Sequence, residues 1–352
     1  MHAFAVLPDD PTIHDLDIPT PRPTGRQVVL KVTRAGVCHT DTHLRAGGYD
    51  LGSRGMMSMK DRGIEYPMVM GHEVVGVVEQ VGEDVESVQV GDVRLVYPWI
   101  GCGECRQCRE GNDNRCAAGQ NLGVARHGGY ADSIFVPDEK FLVDIDGLDA
   151  SWAATLACSG LTAYSAVDKV LPLEAEEPVI IFGAGGLGLT AIAILRSRGH
   201  SNIVAVDVSE HNLALAREMG ASSTVLSGTG SEASDIVQAS GGPASAVIDF
   251  VNNGATATSG FEVLAKAGHM VQVGLFGGEV TIPTALLALR MIRIEGSFVG
   301  SLSQLQELVR IAQRGELPHI PIVERTLSAA DVSMALDDLV AGGVAGRIVL
   351  TA

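Results

Sequence analysis

The segment Cys38-His39-Thr40-Asp41-Thr42-His43 brings a thiol, two imidazoles, a carboxylate and hydroxyl groups together in one short stretch of chain. A thiolate and an imidazole are common zinc ligands, so Cys38 and His39 are first candidates for a metal. A helix that begins after Cys38 would place Thr40 and His43 on one face. The segment therefore predicts part of a metal site beside the start of a proton path.

A full ligand set needs donors from elsewhere in the chain. His72 opens a strand-like run in Gly71-His72-Glu73, and Cys158 lies in Ala157-Cys158-Ser159-Gly160. Each also has a simpler interpretation, because a lone histidine in a strand is more often structural and a lone cysteine is often a small buried apolar residue. His72 and Cys158 are nevertheless the candidate sources of the missing donors.

A second cluster has the spacing Cys102-x2-Cys105-x2-Cys108-x7-Cys116. Four thiolates can close a tetrahedral zinc site with no open position, which predicts a structural metal that folds the surrounding lobe. An iron-sulfur cluster also takes four thiolates, and a nucleic-acid-binding zinc ribbon or four free buried cysteines are further interpretations.

Length and charge limit the class of protein. The 352 residues fit two domains, and a net charge of -17, from 42 acidic and 25 basic residues, opposes binding to nucleic acid or anionic membranes. The start lacks a signal-peptide pattern, and the longest apolar stretch, 187–195, is too short to span a bilayer. We expect a soluble cytoplasmic protein. In such a protein, metal binding is a better interpretation of the cysteines than disulfide bonds.

The two halves of the chain differ in pattern. Residues 1–37 alternate short β-rich runs with proline turns, which predicts an irregular β domain. The Gly- and Met-rich segment 49–67 predicts a long surface loop, either a functional lid or a tolerated insertion.

From residue 178, strands and helices alternate, which predicts an α/β fold with a doubly wound parallel sheet. The predicted strands are 179–182, 203–207, 224–226, 246–251, 269–274 and 292–298. The predicted helices are 210–219, 232–240, 256–267, 303–314 and 329–341. A final strand at 347–350 is expected to rejoin the first domain.

Gly183-Ala184-Gly185-Gly186-Leu187-Gly188 follows the first of these strands and opens a helix, and Asp207 ends the second strand. Such a turn brings backbone N–H groups to a pyrophosphate, and the acid accepts from a ribose hydroxyl. A 2′-phosphate would meet the Asp207 carboxylate with no nearby cation, so NAD is favoured over NADP. A tight turn without a ligand is the alternative.

Taken in order along the chain, these motifs resemble the zinc-dependent medium-chain alcohol dehydrogenases over essentially its whole length. The resemblance implies an irregular β-rich, GroES-like catalytic domain at 1–159 and 301–352, with a structural zinc lobe at about 100–118. It implies an NAD-binding Rossmann domain at 160–300, and a homodimer or homotetramer. The segment 49–67 departs from the family by its greater length.

The resemblance also implies roles for individual residues. Cys38, His72 and Cys158 would hold a catalytic zinc, with Glu73 close by as an occasional ligand and Asp41 orienting His72. Thr40 and His43 match the positions of the family's proton relay. His39 is then assigned to the cofactor and no longer to zinc. The structural zinc would be held by Cys102, Cys105, Cys108 and Cys116, which makes two zinc ions per chain. The residues implied to bind the cofactor are His39, Thr162, Gly183, Gly185, Gly186, Leu187, Gly188, Asp207 and Arg347, and Tyr49 and Trp99 are expected in the substrate pocket.

The expected reaction is reversible oxidation of a primary or secondary alcohol to an aldehyde or ketone, with hydride passing from a zinc-bound alkoxide to NAD. Zinc lowers the pKa of bound water from about 16 to about 7. The same effect on a bound alcohol would favour the alkoxide by on the order of 12 kcal/mol. A polyol or sugar dehydrogenase of the same superfamily is the nearest competitor, although a carboxylate in place of Cys158 would suit it better. A non-catalytic nucleotide-binding zinc protein is the other alternative.

Overall fold

The structure is a computed structural model and describes residues 1–8, 10–228 and 232–352. Its strands are β1 His2–Leu7, β2 Asp10–Asp17, β3 Val28–Val37, β4 Gly48–Asp50, β5 Met56–Ser58, β6 Met68–Val69, β7 Glu73–Val81, β8 Val93–Val96, β9 Ser133–Val136, β10 Leu142–Asp144, β11 Val179–Phe182, β12 Ile203–Asp207, β13 Ser223–Leu226, β14 Ala244–Asp249, β15 Leu264–Gln272, β16 Arg293–Gly296, β17 Ile322–Thr326 and β18 Arg347–Thr351. Its helices are α1 His39–Ala46, α2 Arg106–Arg109, α3 Ala150–Thr155, α4 Leu161–Val170, α5 Gly186–Ser197, α6 Glu210–Glu218, α7 Glu232–Ser240, α8 Gly254–Val263, α9 Thr284–Arg290, α10 Leu302–Gln313 and α11 Ala329–Val340. Within these described ranges, no helix combines the length and apolar character that crossing a bilayer requires.

A six-stranded parallel sheet has the order β13-β12-β11-β14-β15-β16. Its central strands are rich in Val and Ile and buried apart from Asp207 and Ser245, as expected for a parallel sheet covered on both faces. The strand order reverses between β11 and β14, so a crevice opens at their carboxyl ends, where ligands bind in such sheets. The prediction of a doubly wound α/β fold is confirmed.

A second sheet has seven strands in the order β10-β8-β7-β3-β18-β17, with β9 also paired to β3. β3 runs antiparallel to β7 and to β18, with Gly36 opposite Glu73 and Val37 opposite Ile348. This pairing joins segments from the two ends of the described chain. Two smaller sheets, β2-β1-β6 and β4-β5, complete the β-rich part.

Two expectations about local structure need correction. The helix predicted at 256–267 ends at Val263, and residues 264–272 form a strand, because Leu264 pairs with Ala244 and Ala267 has a left-handed φ of 64° that no helix accommodates. The segment 49–67 is only partly a surface loop. It begins in the β4-β5 hairpin, and Met59 is fully buried against the core.

Gly71 has φ +85°, and a Cβ there would lie 2.4 Å from the Tyr130 ring. Gly55 also has a positive φ, +77°, but a Cβ there would meet nothing within 4 Å. Gly55 combines φ 77° with ψ -158°, a region nearly restricted to glycine, so we expect Gly55→Ala to cost about 1–3 kcal/mol through backbone strain alone. We expect Gly71→Ala to cost about 1–3 kcal/mol more through overpacking. Urea unfolding measures both, and equal costs would contradict the predicted clash.

Candidate metal sites and dinucleotide cleft

Three ligand-type side chains from distant parts of the sequence meet at one buried point. The ligand atoms of Cys38, His72 and Cys158 all lie within 4.8 Å of one another. The two sulfurs are 3.9 Å apart. The contact with the Cys158 thiol lowers the pKa of Cys38, and the same contact raises the pKa of Cys158. One of the two sulfurs is therefore poised to be a thiolate.

The backbone explains why these side chains converge. Cys38 follows β3 and His72 precedes β7, and these antiparallel strands pair Gly36 with Glu73 at their ends. Cys158 lies in a π-helical turn, Leu156–Gly160, between α3 and α4. Such turns are rare and concentrate at functional sites. The N–H of Ser159 in this turn donates to Glu73 Oε1 over 3.0 Å, which ties the turn to β7.

The Asp41 carboxylate organises this point and is completely buried. Its Oδ2 accepts from the Cys38 N–H over 3.0 Å and from the Tyr130 hydroxyl over 2.8 Å. Its Oδ1 lies 3.3 Å from both the Gly71 nitrogen and His72 Nδ1. Burial opposes a charge on His72, but the Asp41 carboxylate outweighs it and raises the pKa of the imidazole.

The donor set fits zinc. His72 Nε2 is buried without a hydrogen-bond partner among the described residues, while Asp41 faces the opposite ring nitrogen. Two thiols and one imidazole are borderline-soft donors that suit zinc, and three protein ligands leave one coordination position for another molecule. A carboxylate facing the second ring nitrogen is the usual support for a metal-binding histidine.

Glu73 and Arg347 form a buried ion pair next to this point. Glu73 is not part of the three-residue group, and its Oε2 lies 2.5 Å from Arg347 Nη2. A Cβ on Gly186 would lie 2.4 Å from Arg347 Cδ, so the side chain of Arg347 also contacts the glycine-rich turn. Arg347 therefore lies between the predicted cofactor turn and the predicted metal site.

The predicted relay residues follow Cys38 on α1. His43 is half-buried with its ring 4.7 Å from that of Tyr49, and no hydrogen bond joins it to Thr40 in the described part of the chain. Burial lowers the pKa of His43 and of His39, so both imidazoles are mainly neutral at pH 7. The His39 ring lies 5.4 Å from that of Phe276 at the cleft.

The four remaining cysteines form a separate group whose ligand atoms also lie within 4.8 Å of one another. Cys105 Sγ is 3.5 Å from Cys108 Sγ and 3.8 Å from Cys116 Sγ. Backbone N–H groups of residues 104 and 105 lower the pKa of Cys102 to about 7, and burial raises that of Cys108 to about 12. Four sulfurs in this arrangement fit a closed tetrahedral site.

The glycine-rich turn is built for close backbone approach. Gly183 has φ +85°, and a Cβ on Gly188 would lie 1.9 Å from the Gly183 carbonyl oxygen. The turn leads into α5, whose N-terminal N–H groups can bind an anion. Asp207 Oδ2 accepts from the Ala184 N–H over 2.7 Å, so the acid at the end of β12 lies against the turn. These features fit a dinucleotide.

Two neighbouring residues were not predicted from the sequence, Asn212 and Tyr130. Asn212 donates to Asp207 Oδ1 over 3.3 Å, and Tyr130 donates to Asp41 from far along the chain. Ser209, the N-cap residue of α6 two residues after β12 ends, is the local hint for Asn212, whereas nothing near Tyr130 indicates its role. Thr162 is buried in the first turn of α4, one turn beyond Cys158.

A cavity of about 480 Å³ opens between the β4-β5 hairpin and the residues that follow β14 and β15, and none of Cys38, His72 and Cys158 lines it. Tyr49 lines it, and the other lining residues include Met57, Arg62, Asn252, Gln272, Leu275 and Phe298; the role of Tyr49 in a substrate pocket stays a prediction. Trp99 is not among the lining residues. Its ring lies behind the wall, 5.3 Å from that of His72 and 5.5 Å from that of Phe298.

Comparisons with known proteins agree with this geometry. Residues 24–147 match the family model described as the alcohol dehydrogenase GroES-like domain, and residues 186–314 match that of the zinc-binding dehydrogenases. An NAD-dependent alcohol dehydrogenase of Sulfurisphaera tokodaii is 36% identical over 95% of both chains. A D-arabinose 1-dehydrogenase (NADP(+)) of Saccharolobus solfataricus is 32% identical over 97% of this chain and 94% of its own. The crystal structure of an alcohol dehydrogenase from Aeropyrum pernix superimposes with a TM-score of 0.91 at 30% identity, covering 100% of both chains.

Removing the Tyr130 hydroxyl should test the Asp41 network. A hydrogen bond to a buried charge contributes roughly 1.5–3 kcal/mol, so we expect Tyr130→Phe to lower the free energy of unfolding by about 2 kcal/mol. Tyr164→Phe is the control, since Tyr164 packs beneath Arg198 and donates to no buried carboxylate. Similar small losses for both variants in urea unfolding would show that the Tyr130 bond contributes little.

Proposed function

The chain belongs to the zinc-dependent medium-chain alcohol dehydrogenases, a family of oxidoreductases, and we propose that it reversibly oxidises a primary or secondary alcohol to an aldehyde or ketone with NAD. The observation that carries the proposal is the convergence of Cys38, His72 and Cys158 at one buried point beside the cofactor turn. The family and its relatives support zinc and NAD as cofactors. We infer that residues 1–159 and 301–352 form the catalytic domain and 160–300 the NAD domain.

Cys38, His72 and Cys158 would hold the catalytic zinc, which when bound supplies a Lewis acid that makes an alcohol hydroxyl more acidic. Asp41 keeps the His72 ring oriented through its contact with Nδ1. Burial raises the pKa of Glu73, and its ion pair with Arg347 opposes that shift. Cys102, Cys105, Cys108 and Cys116 would hold a second, structural zinc.

On the cofactor side, Gly183, Gly185, Gly186, Leu187 and Gly188 present backbone N–H groups to the pyrophosphate, and Asp207 accepts from the adenosine ribose. Arg347 lies against Gly186 of the same turn, the His39 ring lies 5.4 Å from that of Phe276, and Thr162 lies one helical turn beyond Cys158. NAD when bound is the hydride acceptor. A homodimer or homotetramer is the expected assembly.

The proton path runs along one face of α1. Thr40 lies two residues after Cys38 and His43 one turn further along, and we assign both to the transfer of the alcohol proton to solvent. Because burial keeps His43 neutral at pH 7, its ring is available as a base. Its packing on Tyr49 fixes the ring at the edge of the cavity.

A sugar or polyol dehydrogenase is the second candidate. Amide side chains of Asn252, Asn253 and Gln272 line the cavity and could bind hydroxyl groups. The D-arabinose dehydrogenase relative points the same way. The thiol at Cys158, in place of a carboxylate, favours the alcohol.

A substrate panel separates these candidates and tests the metal ligands. With primary, secondary and aromatic alcohols we expect NADH absorbance to rise, with less product from aldoses or from NADP. We expect Cys158→Ala to lose one metal ion per chain and turnover while unfolding near the parent temperature. Cys102→Ala should also lose one ion but unfold at a clearly lower temperature. A Cys158→Ala variant with near-parent turnover would show the ligand assignment to be wrong.

The relay predicts a pH dependence. Since a base must be unprotonated and burial lowers the pKa of His43, alcohol oxidation should fall as pH drops, with a midpoint below about 6.5. His43→Ala should lower the rate at pH 7 by on the order of 100-fold, with partial rescue by added imidazole.

His127→Ala is the matched control, because burial also lowers the pKa of His127, which accepts from the Val69 N–H away from the cavity. An unchanged pH profile in His43→Ala, or equal losses in both variants, would refute the relay.

A further inference from the structure

Val299 has a backbone conformation that its side chain disfavours. It lies between β16 and α10 with φ 43°, and it is 95% hidden from solvent, at a relative exposure of 5%. The other non-glycine residues with positive φ in the described chain are Asn252, Ala267 and Met291, none of them β-branched. A β-branched residue in this region is a true outlier, which persists only where the surroundings hold it.

Two hydrogen bonds hold the residues on either side of Val299. Asn114 Nδ2 donates to the Phe298 carbonyl over 3.1 Å, and the Tyr97 hydroxyl donates to the Gly300 carbonyl over 2.9 Å. Asn114 belongs to the four-cysteine lobe, in the turn Asp113–Arg115 just before Cys116. Asn114 Oδ1 is buried without a partner among the described residues. The side-chain amide of Asn114 is therefore held through the hydrogen bond from Nδ2 to Phe298.

The turn 298–300, held by these two bonds, positions Phe298 in the wall of the cavity. The Phe298 side chain lines the cavity, and its ring meets the face of Trp99 edge-on at 5.5 Å. Trp99 in turn lies 5.3 Å from the His72 ring, and its Nε1 donates to the Ala157 carbonyl over 3.0 Å, next to Cys158. Because Asp41 holds Cys38 and His72 and Glu73 holds the turn of Cys158, a shift of Phe298 would alter the cavity while leaving the three ligand side chains in place.

We propose that Asn114 is a positioning residue through which the four-cysteine lobe sets the shape of the substrate cavity. Its bond to Phe298, together with that from Tyr97, holds Val299 in the left-handed conformation and so fixes Phe298 against Trp99. Without the bond, Val299 relaxes toward negative φ and the cavity wall moves. The lobe then contributes to substrate binding as well as to stability, and this inference rests on the proposed alcohol oxidation.

The strain itself provides the test. Glycine adopts positive φ without a Cβ penalty, so in a Val299→Gly background the turn no longer depends on Asn114. Val299→Ala loses most of the side chain but keeps the Cβ and therefore the strain. We expect Asn114→Ala to raise the KM for alcohol about fivefold, the usual effect of one hydrogen bond, with kcat changed less than twofold. The same rise should appear in Val299→Ala and shrink below twofold in Val299→Gly.

Arg115→Ala is the control, since Arg115 is an exposed neighbour in the same turn. Asn114→Asp removes the donor at constant shape and serves if the alanine variant does not fold. An equal KM rise in the Val299→Gly background would mean that Asn114 merely supports the lobe, and so would an equal rise in Arg115→Ala. Either result overturns the proposal, as does an unchanged KM in Asn114→Ala.

A spectroscopic measurement keeps this inference separate from the proposed reaction. The chain has 2 tryptophans, so Trp152→Phe leaves Trp99 as the sole reporter. Asn114→Ala should change its near-ultraviolet circular dichroism, and Val299→Gly should reverse that change. If the parent oxidises no alcohol, the proposed function fails while this reversal still supports the role of Asn114. An unaltered Trp99 spectrum in Asn114→Ala overturns it.

Discussion

The buried carboxylate of Asp41 is the interaction on which the predicted metal site depends. It accepts from the Cys38 N–H, the Gly71 N–H and the Tyr130 hydroxyl, and it faces His72 Nδ1. A charge without such partners would be costly to bury, so the four contacts are required together. The same contacts fix the relative positions of Cys38 and His72, and they do not require a bound metal.

A second buried charge pair connects the two halves of the cleft. Glu73 accepts from the Ser159 N–H next to Cys158 and from Arg347, whose stem lies on Gly186 of the glycine-rich turn. Removing either partner would leave an uncompensated charge in the interior, which is far costlier than losing a surface pair. The cofactor turn and the thiol–imidazole cluster therefore cannot shift independently.

The parts of the protein that could be predicted from the sequence are those in which residue type and local spacing together indicate a structure or a ligand. The glycine-rich turn, Asp207 and the six parallel strands follow from spacing and periodicity, and the fold prediction is confirmed. Cys38, His72 and Cys158 were predicted to meet, and they do, although their role as ligands stays a prediction. Contacts between residues far apart in the sequence could not be predicted. Nothing near Tyr130 or Asn114 in the chain indicates that the fold brings them to Asp41 and Phe298. The strand predicted at 269–274 begins earlier, at Leu264, because sheet pairing overrode the helical pattern that placed 264–267 in a helix.

The pairing of β18 with β3 has a consequence for the order of folding. The six-stranded sheet is contiguous in sequence, from β11 to β16, and can be complete as soon as that stretch has left the ribosome. The seven-stranded sheet must wait, because β3 gains its neighbour β18 only after all of those strands have been synthesised. During synthesis, the part of β3 that pairs with β18, residues 34–37, therefore exposes an unpaired strand edge, the kind of surface that invites aggregation. The nucleotide-binding half is then the first folded partner on which the remainder of the nascent chain can assemble.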